Sequence, residues 1–256
     1  MAAQPDPTIV RFEPGGYRFI DAVFQYSGGV AAQPDHSLVR VTFRDPPPIE
    51  QGFARIKEIL DAAGRPLTAL CGCELRSPAP FTEEGFHAFN ESYVQRLHAW
   101  GLYDGRRAAV ARSNVCPAVA PPPVPSFHAF TYTEPSRGIA PASFVISGSA
   151  EAPEGRGNYR DHIVRRHDLS PEGLREKARF VLAEMERRLA ALGFSWADVT
   201  ATNVYTVHDI HPLLAEEIVR RGAARGGLTW HYCRPPVRDL EFEMDCRGVA
   251  HEYVAD

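Results

Sequence analysis

One stretch decides the fold: Phe144-Val-Ile-Ser-Gly-Ser-Ala150, which resembles an earlier stretch, Phe24-Gln-Tyr-Ser-Gly-Gly-Val30. In each, an apolar, strand-like run enters a Ser-Gly pair, and the two serines are 120 residues apart. A long amphipathic helix and further strands are predicted after each stretch. We therefore predict a tandem duplication, with residues 1–134 and 135–256 as two copies of one small α+β unit and a linker at 134–141.

The composition is that of a folded globular chain. Of its 256 residues, 44% are hydrophobic and 23% are charged, which suits one large domain or two smaller ones. The formal net charge of -4 gives no basic field for nucleic acid. No apolar run approaches the roughly 20 residues of a membrane span. The N-terminus lacks signal-peptide features, and five cysteines without framework spacing favour a reduced, cytoplasmic protein.

Each copy is predicted to have the order β-β-α-β-α-β-β. In the first copy, residues 19–30 and 38–43 are expected to pair as strands, and helices are expected over 49–63 and 81–100. In the second copy, the long helix is expected over 171–192. A mixed sheet with two helices on one face leaves its other face uncovered, and another copy of the unit is the expected cover.

Several motifs occur in a characteristic order along the two copies. Asn90-Glu-Ser-Tyr93 on a predicted helix precedes Ala111-Arg-Ser113 on a predicted strand. The second copy has the strand 199–205 and the tail Arg234-Pro-Pro236, followed by Leu240-Glu-Phe-Glu-Met244. In this order the motifs resemble the RidA family, also called YjgF/YER057c/UK114, over most of the chain.

This resemblance implies a chorismate-mutase-like fold and single-domain relatives that form trimers, with clefts between neighbouring units. It also implies hydrolysis of reactive enamines or imines to a keto acid and ammonia. One branch of the family deaminates 2-aminomuconate in the degradation of aromatic rings. No metal or organic cofactor is expected.

Two residues are the candidate catalytic groups. Arg112 can bind the carboxylate of an enamine or imine acid, because a guanidinium binds a carboxylate through two parallel hydrogen bonds. Glu241 can hold and activate water for attack on an iminium carbon. Glu243 alternates with it on the same predicted strand face and is the weaker candidate. Each of these side chains also fits an ordinary half-exposed strand.

The two copies depart from the family pattern in opposite ways. The second copy has glycines near the position of the family's arginine, and the first copy has no carboxylate near the position of its glutamate. We therefore hypothesise a composite site that combines Arg112 and Asn90 of the first copy with Glu241 of the second.

Five further residues are candidate substrate-binding groups. Gly28 and Gly148 could present backbone N–H groups to an anion, although a tight strand exit also requires glycine. Asn114 lies two positions after the arginine, on the same strand face. Tyr17 could supply a hydroxyl from a loop, and His231 could recognise a planar substrate or simply pack in a strand.

The predicted function is that of a cytoplasmic, cofactor-free deaminase acting on a small enamine or imine carboxylic acid, similar to 2-aminomuconate. A homotrimer is favoured, with no nucleic-acid or membrane partner. Two alternatives remain open: a chorismatase-like lyase or hydrolase acting on a cyclic carboxylate, and a trimer that binds a ligand without catalysis.

Overall fold

The computed structural model describes residues 6–136 and 142–256. The strands of these residues form two mixed sheets, one of seven strands and one of six. In chain order they are β1 (Thr8–Phe12), β2 (Tyr17–Asp21), β3 (Gly29–Ala32), β4 (His36–Phe43), β5 (Leu70–Arg76), β6 (Ala111–Pro117), β7 (Ser126–Pro135), β8 (Phe144–Ala150), β9 (Ala201–Tyr205), β10 (Leu228–His231), β11 (Cys233–Arg234), β12 (Glu243–Gly248) and β13 (His251–Ala255).

Three long helices cover the outer faces of the sheets. They are α1 (Ile49–Ala62), α2 (Glu83–Ala99) and α3 (Pro171–Ala191), and a helical turn at His211–Leu213 continues as a π-helical turn at Leu214–Val219. Thr82 and Ser170 cap α2 and α3 by accepting hydrogen bonds from backbone N–H groups three residues later. The bounds of these three helices confirm the helices predicted over residues 49–63, 81–100 and 171–192. Within the described ranges, no helix has both the length and the apolar character needed to cross a bilayer.

The two halves share one strand topology, which confirms the α+β architecture of two tandem units. The neighbouring strands are β6-β5-β7-β4 in the first half and β10-β9-β12-β8 in the second. In both halves the first of these pairs is parallel and the next two are antiparallel. Helices pack on one face of each sheet and form a separate apolar core there.

The prediction of one strand over residues 19–30 is wrong. These residues belong to β2, a loop and β3, and β3 pairs with β8 rather than with β4. β4 instead lies between β7 and β13. In the shared topology β4 is the counterpart of β8, so the two Ser-Gly pairs are neighbours in space and not equivalent positions. The similarity of the two Ser-Gly stretches suggested equivalent positions in a repeat. It was misleading because glycine occurs wherever two strands approach closely, whatever the place of those strands in the fold.

The halves also exchange terminal strands. β1, β2 and β3 extend the sheet of the second half, and β13 pairs in parallel with β4 at the edge of the first sheet. The short β11 leaves the second half to pair with β6. The predicted boundary between the two units at residue 134 stays a prediction, because each half contributes strands to the sheet of the other. Residues 137–141 of the predicted linker lie outside the described residues.

Hydrogen bonds form a seam between the inner faces of the two sheets. The Ser147 hydroxyl donates to the carbonyl of Ser27 at 2.6 Å and accepts from the backbone N–H of Arg112 at 3.0 Å. The Ser113 hydroxyl donates to the Asp245 carboxylate at 2.5 Å. All five residues are buried. Since buried polar groups need partners, these bonds fix β6 of the first half against β8 and β12 of the second.

Replacing the central hydroxyl of this seam tests its contribution to stability. Ser147→Ala should lower the free energy of unfolding by about 2–3 kcal/mol, because a buried N–H and a buried carbonyl each lose a partner. Urea unfolding at fixed protein concentration measures this loss. Ser92→Ala, at an exposed position of α2, is the control and should change stability by less than about 0.5 kcal/mol. Equal stability of both variants would show that the seam does not hold the halves together.

Candidate active site

A small cavity lies at this seam, between α2 and β6 of the first half and β8 and β12 of the second. Its volume is about 30 Å³, which is room for about two water molecules. Two wider grooves, of about 470 and 630 Å³, adjoin it. The cavity is lined by Tyr26, Phe86, Arg112, Asn114, Gly148, Ala150, Ala152, Glu154, Tyr159, Pro236, Val237, Leu240 and Glu243.

Arg112, on β6, supplies a buried cation. The residue is 3% exposed, and its Nη1 atom has no hydrogen-bond partner among the described residues. The rings of Tyr26, Phe86, Phe89 and Tyr93 surround the guanidinium, with centroids 4.8–5.8 Å from its central carbon. Aromatic faces stabilise a cation but accept no in-plane hydrogen bonds, so the guanidinium keeps N–H donors for an anion.

Other buried polar atoms around this cavity also lack partners within the described ranges. They are Asn114 Nδ2 and Asn90 Oδ1. Asn114 lines the cavity, and its Oδ1 accepts a hydrogen bond from Ser77 at 2.9 Å. Asn90 lines the adjoining groove of 630 Å³. Because buried polar atoms are normally paired, this concentration of unpaired atoms around one cavity indicates a ligand site.

Glu243, the first residue of β12, supplies a carboxyl group to the same cavity. The residue is 4% exposed. Burial raises its pKa well above the ordinary value, and the negative charges of Asp245 and Glu151 add to this rise. The positive charges of Arg112 and Arg76 act in the opposite direction and do not cancel it. The raised pKa favours the protonated form of the carboxyl, which can donate a proton.

Gly148 makes room for this carboxyl. It lies on β8 beside β12, where the register of the two strands shifts between Met244 and Cys246. A β-carbon on Gly148 would clash with the Glu243 carboxyl oxygen Oε1. The structure thus places Gly148 in the cavity with a steric role, which differs from the anion-binding role expected from the sequence.

The structure places Glu241 outside the cavity. β12 begins at Glu243, and Glu241 lies in the segment before it. Its side chain contacts His208 Nε2 at 2.8 Å and Arg234 Nη1 at 2.9 Å. Strand alternation could not separate the two glutamates, because it does not tell where the strand begins. This placement favours Glu243 over Glu241 as the acid of the site.

Three of the predicted substrate ligands also lie outside the cavity. Tyr17 is fully buried in β2, not in a loop, and its hydroxyl donates to a backbone carbonyl at 3.1 Å. His231 stacks on the ring of Tyr205 in the neighbouring strand. Gly28 lines the groove of 470 Å³, and its N–H donates to a backbone carbonyl at 3.0 Å. That N–H is therefore not free to bind an anion.

The motifs of the sequence do not point to the aromatic and acidic wall of the cavity. The Tyr26 hydroxyl donates to Glu154 at 2.8 Å, and Glu154 forms an ion pair with the buried Arg188 at 2.8 Å. No local pattern joins positions so distant in the chain. Phe86 does carry a signal, because it lies four residues before Asn90 and thus on the same side of α2.

Comparison with known proteins identifies the family of this chain. The sequence profile of the family described as 2-aminomuconate deaminase CnbZ matches residues 9–253. The chain belongs to this family. It is 50% identical over 249 residues to the 2-amino-5-chloromuconate deaminase of Comamonas testosteroni, with 97% of this chain and 99% of that protein covered. The predicted similarity to 2-aminomuconate deaminases and the predicted deaminase activity are confirmed, so the chain is an enzyme that acts on a C–N bond.

Solved structures resemble the fold at much lower identity. A chorismatase matches with a TM-score of 0.50 and 15% identity over 87% of this chain and 77% of its own. The YjgF gene product of E. coli matches with a TM-score of 0.32 and 17% identity over 43% of this chain and 81% of its own. At this identity the match to the chorismatase shows a shared fold and gives no information about the reaction of the present protein.

The steric role of Gly148 predicts a loss of activity without unfolding. Gly148→Ala should lower kcat by about 100-fold, because the new methyl group displaces the Glu243 carboxyl from the cavity. Ser92→Ala, at an exposed position of α2, is the control and should keep the parent activity. Steady-state deamination and thermal unfolding are measured for both. Parent-like turnover by Gly148→Ala would show that the position of the Glu243 carboxyl is not critical.

Proposed function

We propose that the enzyme uses this cavity to hydrolyse 2-aminomuconate or a chlorinated 2-aminomuconate to the corresponding keto acid and ammonia. Membership of the 2-aminomuconate deaminase family supports this proposal. The 50% identity to a 2-amino-5-chloromuconate deaminase supports it as well. The observation that carries the proposal is the meeting of Arg112 and Glu243 in one cavity. One residue comes from each half of the chain, as the composite-site hypothesis requires, but the acid is Glu243.

Arg112 anchors the carboxylate next to the amine-bearing carbon of the substrate. Its unpaired donors and ring-lined surroundings favour a planar anion, which can accept two hydrogen bonds and lie against the aromatic faces. The free amide N–H of Asn114 is a further donor within the cavity. Fixing the carboxylate in this way orients the neighbouring enamine towards Glu243.

Glu243 moves protons in each chemical step. Its protonated carboxyl first donates to the enamine carbon, and the nitrogen lone pair forms the C=N bond of an iminium ion. The resulting carboxylate then takes a proton from water while the water oxygen bonds to the iminium carbon. The re-protonated Glu243 carboxyl next donates this proton to the amine. The C–N bond then breaks as the hydroxyl oxygen forms a C=O bond, and ammonia leaves. Loss of the hydroxyl proton to Glu243 completes the carbonyl and restores the acid.

The wall formed by residues 152–159 controls the space for the substrate. Residues of this segment line the cavity and both adjoining grooves. The cavity of about 30 Å³ is too small for a muconate, so substrate entry requires this segment to move outward. The apolar side chains of Phe86, Val237 and Leu240 then face the conjugated body of the substrate.

The oligomer and the compartment also belong to the proposal. We infer a homotrimer in the cytoplasm, as the family resemblance implies. Exposed apolar side chains near the outer edges of the sheets support contact between copies, because such side chains are costly in water. Trp230, Tyr232, Tyr253 and Val254 are 37–56% exposed.

A comparison of the two glutamates tests the assignment of the acid. Glu243→Gln should lower kcat for ammonia release from 2-aminomuconate by about 100-fold or more, because the amide cannot exchange the proton. Glu241→Gln is the matched control on the same segment and should retain most of the activity. The reverse ranking would return the catalytic role to Glu241. Full activity in both variants would exclude a glutamate mechanism at this site.

A further inference from the structure

A buried ion pair lies directly beside the proposed site. Lys177, on α3, and Glu151, just after β8, are both fully buried. The Lys177 ammonium donates to the Glu151 carboxylate at 3.2 Å and to the carbonyl of Val164 at 2.8 Å. An ion pair at such a position gives little net stability, because each charge must be removed from water.

The Glu151 carboxylate holds the backbone that leads into β12. One of its oxygens accepts from the N–H of Glu241 at 2.7 Å, and the other accepts from the N–H of Phe242 at 3.0 Å. These two residues immediately precede Glu243. Glu151 follows Gly148 by three residues and lies just beyond the end of the neighbouring strand, β8. The carboxylate therefore fixes the start of β12 relative to the glycine that makes room for the catalytic carboxyl.

We propose that Glu151, held by Lys177, is a positioning residue that keeps the Glu243 carboxyl in its catalytic place. This inference rests on the proposed function of the cavity. It explains why a charged pair is retained where apolar side chains could pack, since only an anion can accept both backbone N–H groups strongly. Glu151 also contributes its negative charge to the raised pKa of Glu243.

A double substitution separates positioning from simple packing. Glu151→Met with Lys177→Met removes both charges together and fills the space. It also leaves the N–H groups of Glu241 and Phe242 without their acceptor, so the chain should still fold but with a lower Tm than the parent. We expect kcat for 2-aminomuconate to fall at least about 10-fold while KM changes less than about twofold, because Arg112 still binds the carboxylate.

The pH profile gives a second readout that packing alone would not change. In the parent, activity should fall as the pH rises through the raised pKa of Glu243, because the reaction starts from the protonated carboxyl. In Glu151→Gln, which removes the Glu151 charge and keeps Lys177, the pKa of Glu243 should be lower, so the alkaline limb should move to lower pH.

The control is a second ion pair on α3, between Arg179 and Glu217, whose closest contact is 2.8 Å. Arg179→Met with Glu217→Met should leave kcat and the pH profile unchanged. Glu151→Gln keeps one acceptor oxygen and should lower kcat less than the double variant does. This single variant tests the inference if the double variant does not fold.

Parent-like kcat and pH profile in the folded Glu151 variants would overturn this inference alone. A parent enzyme without deaminase activity would instead overturn the proposed function and this inference together.

Discussion

The structure of the site depends on one constraint: the guanidinium of Arg112 is buried, and no carboxylate of residues 6–136 or 142–256 forms an ion pair with it. A charge in such a position is costly unless its surroundings compensate for it. Here four aromatic rings supply part of the compensation, and the remaining N–H donors stay available. Burial raises the pKa of Glu243, the acid that lines the same cavity, and so disfavours a carboxylate beside the arginine. A substrate carboxylate can therefore occupy that position.

The duplicated architecture explains how one chain provides both groups. Two sheets that share the order of four strands face each other, with their helices outside. The cavity lies where β6 of the first sheet meets β8 and β12 of the second. The exchange of terminal strands and the hydrogen bonds of Ser147 fix this meeting point. A shared topology with a chorismatase shows that the architecture is not specific to one reaction.

Much of this could be predicted from the sequence, for identifiable physical reasons. The long helices follow from apolar periodicity and capping residues, and the motif around Arg112 led to the family. The strand that contains the second Ser-Gly pair was matched to the wrong partner, because local similarity does not reveal which sheet a strand joins. The choice between Glu241 and Glu243 depended on where β12 begins. The Glu151 carboxylate accepts hydrogen bonds from the backbone just before that strand, and no local sequence pattern encodes such long-range contacts.

The most direct test is a crystal structure of the protein with muconate, which resembles the proposed substrate but lacks the amine. We expect one muconate carboxylate to accept two hydrogen bonds from Arg112, with the adjacent carbon within about 3.5 Å of the Glu243 carboxyl. Muconate bound elsewhere, with Arg112 and Glu243 contacting no common ligand, would contradict a site shared between the two halves.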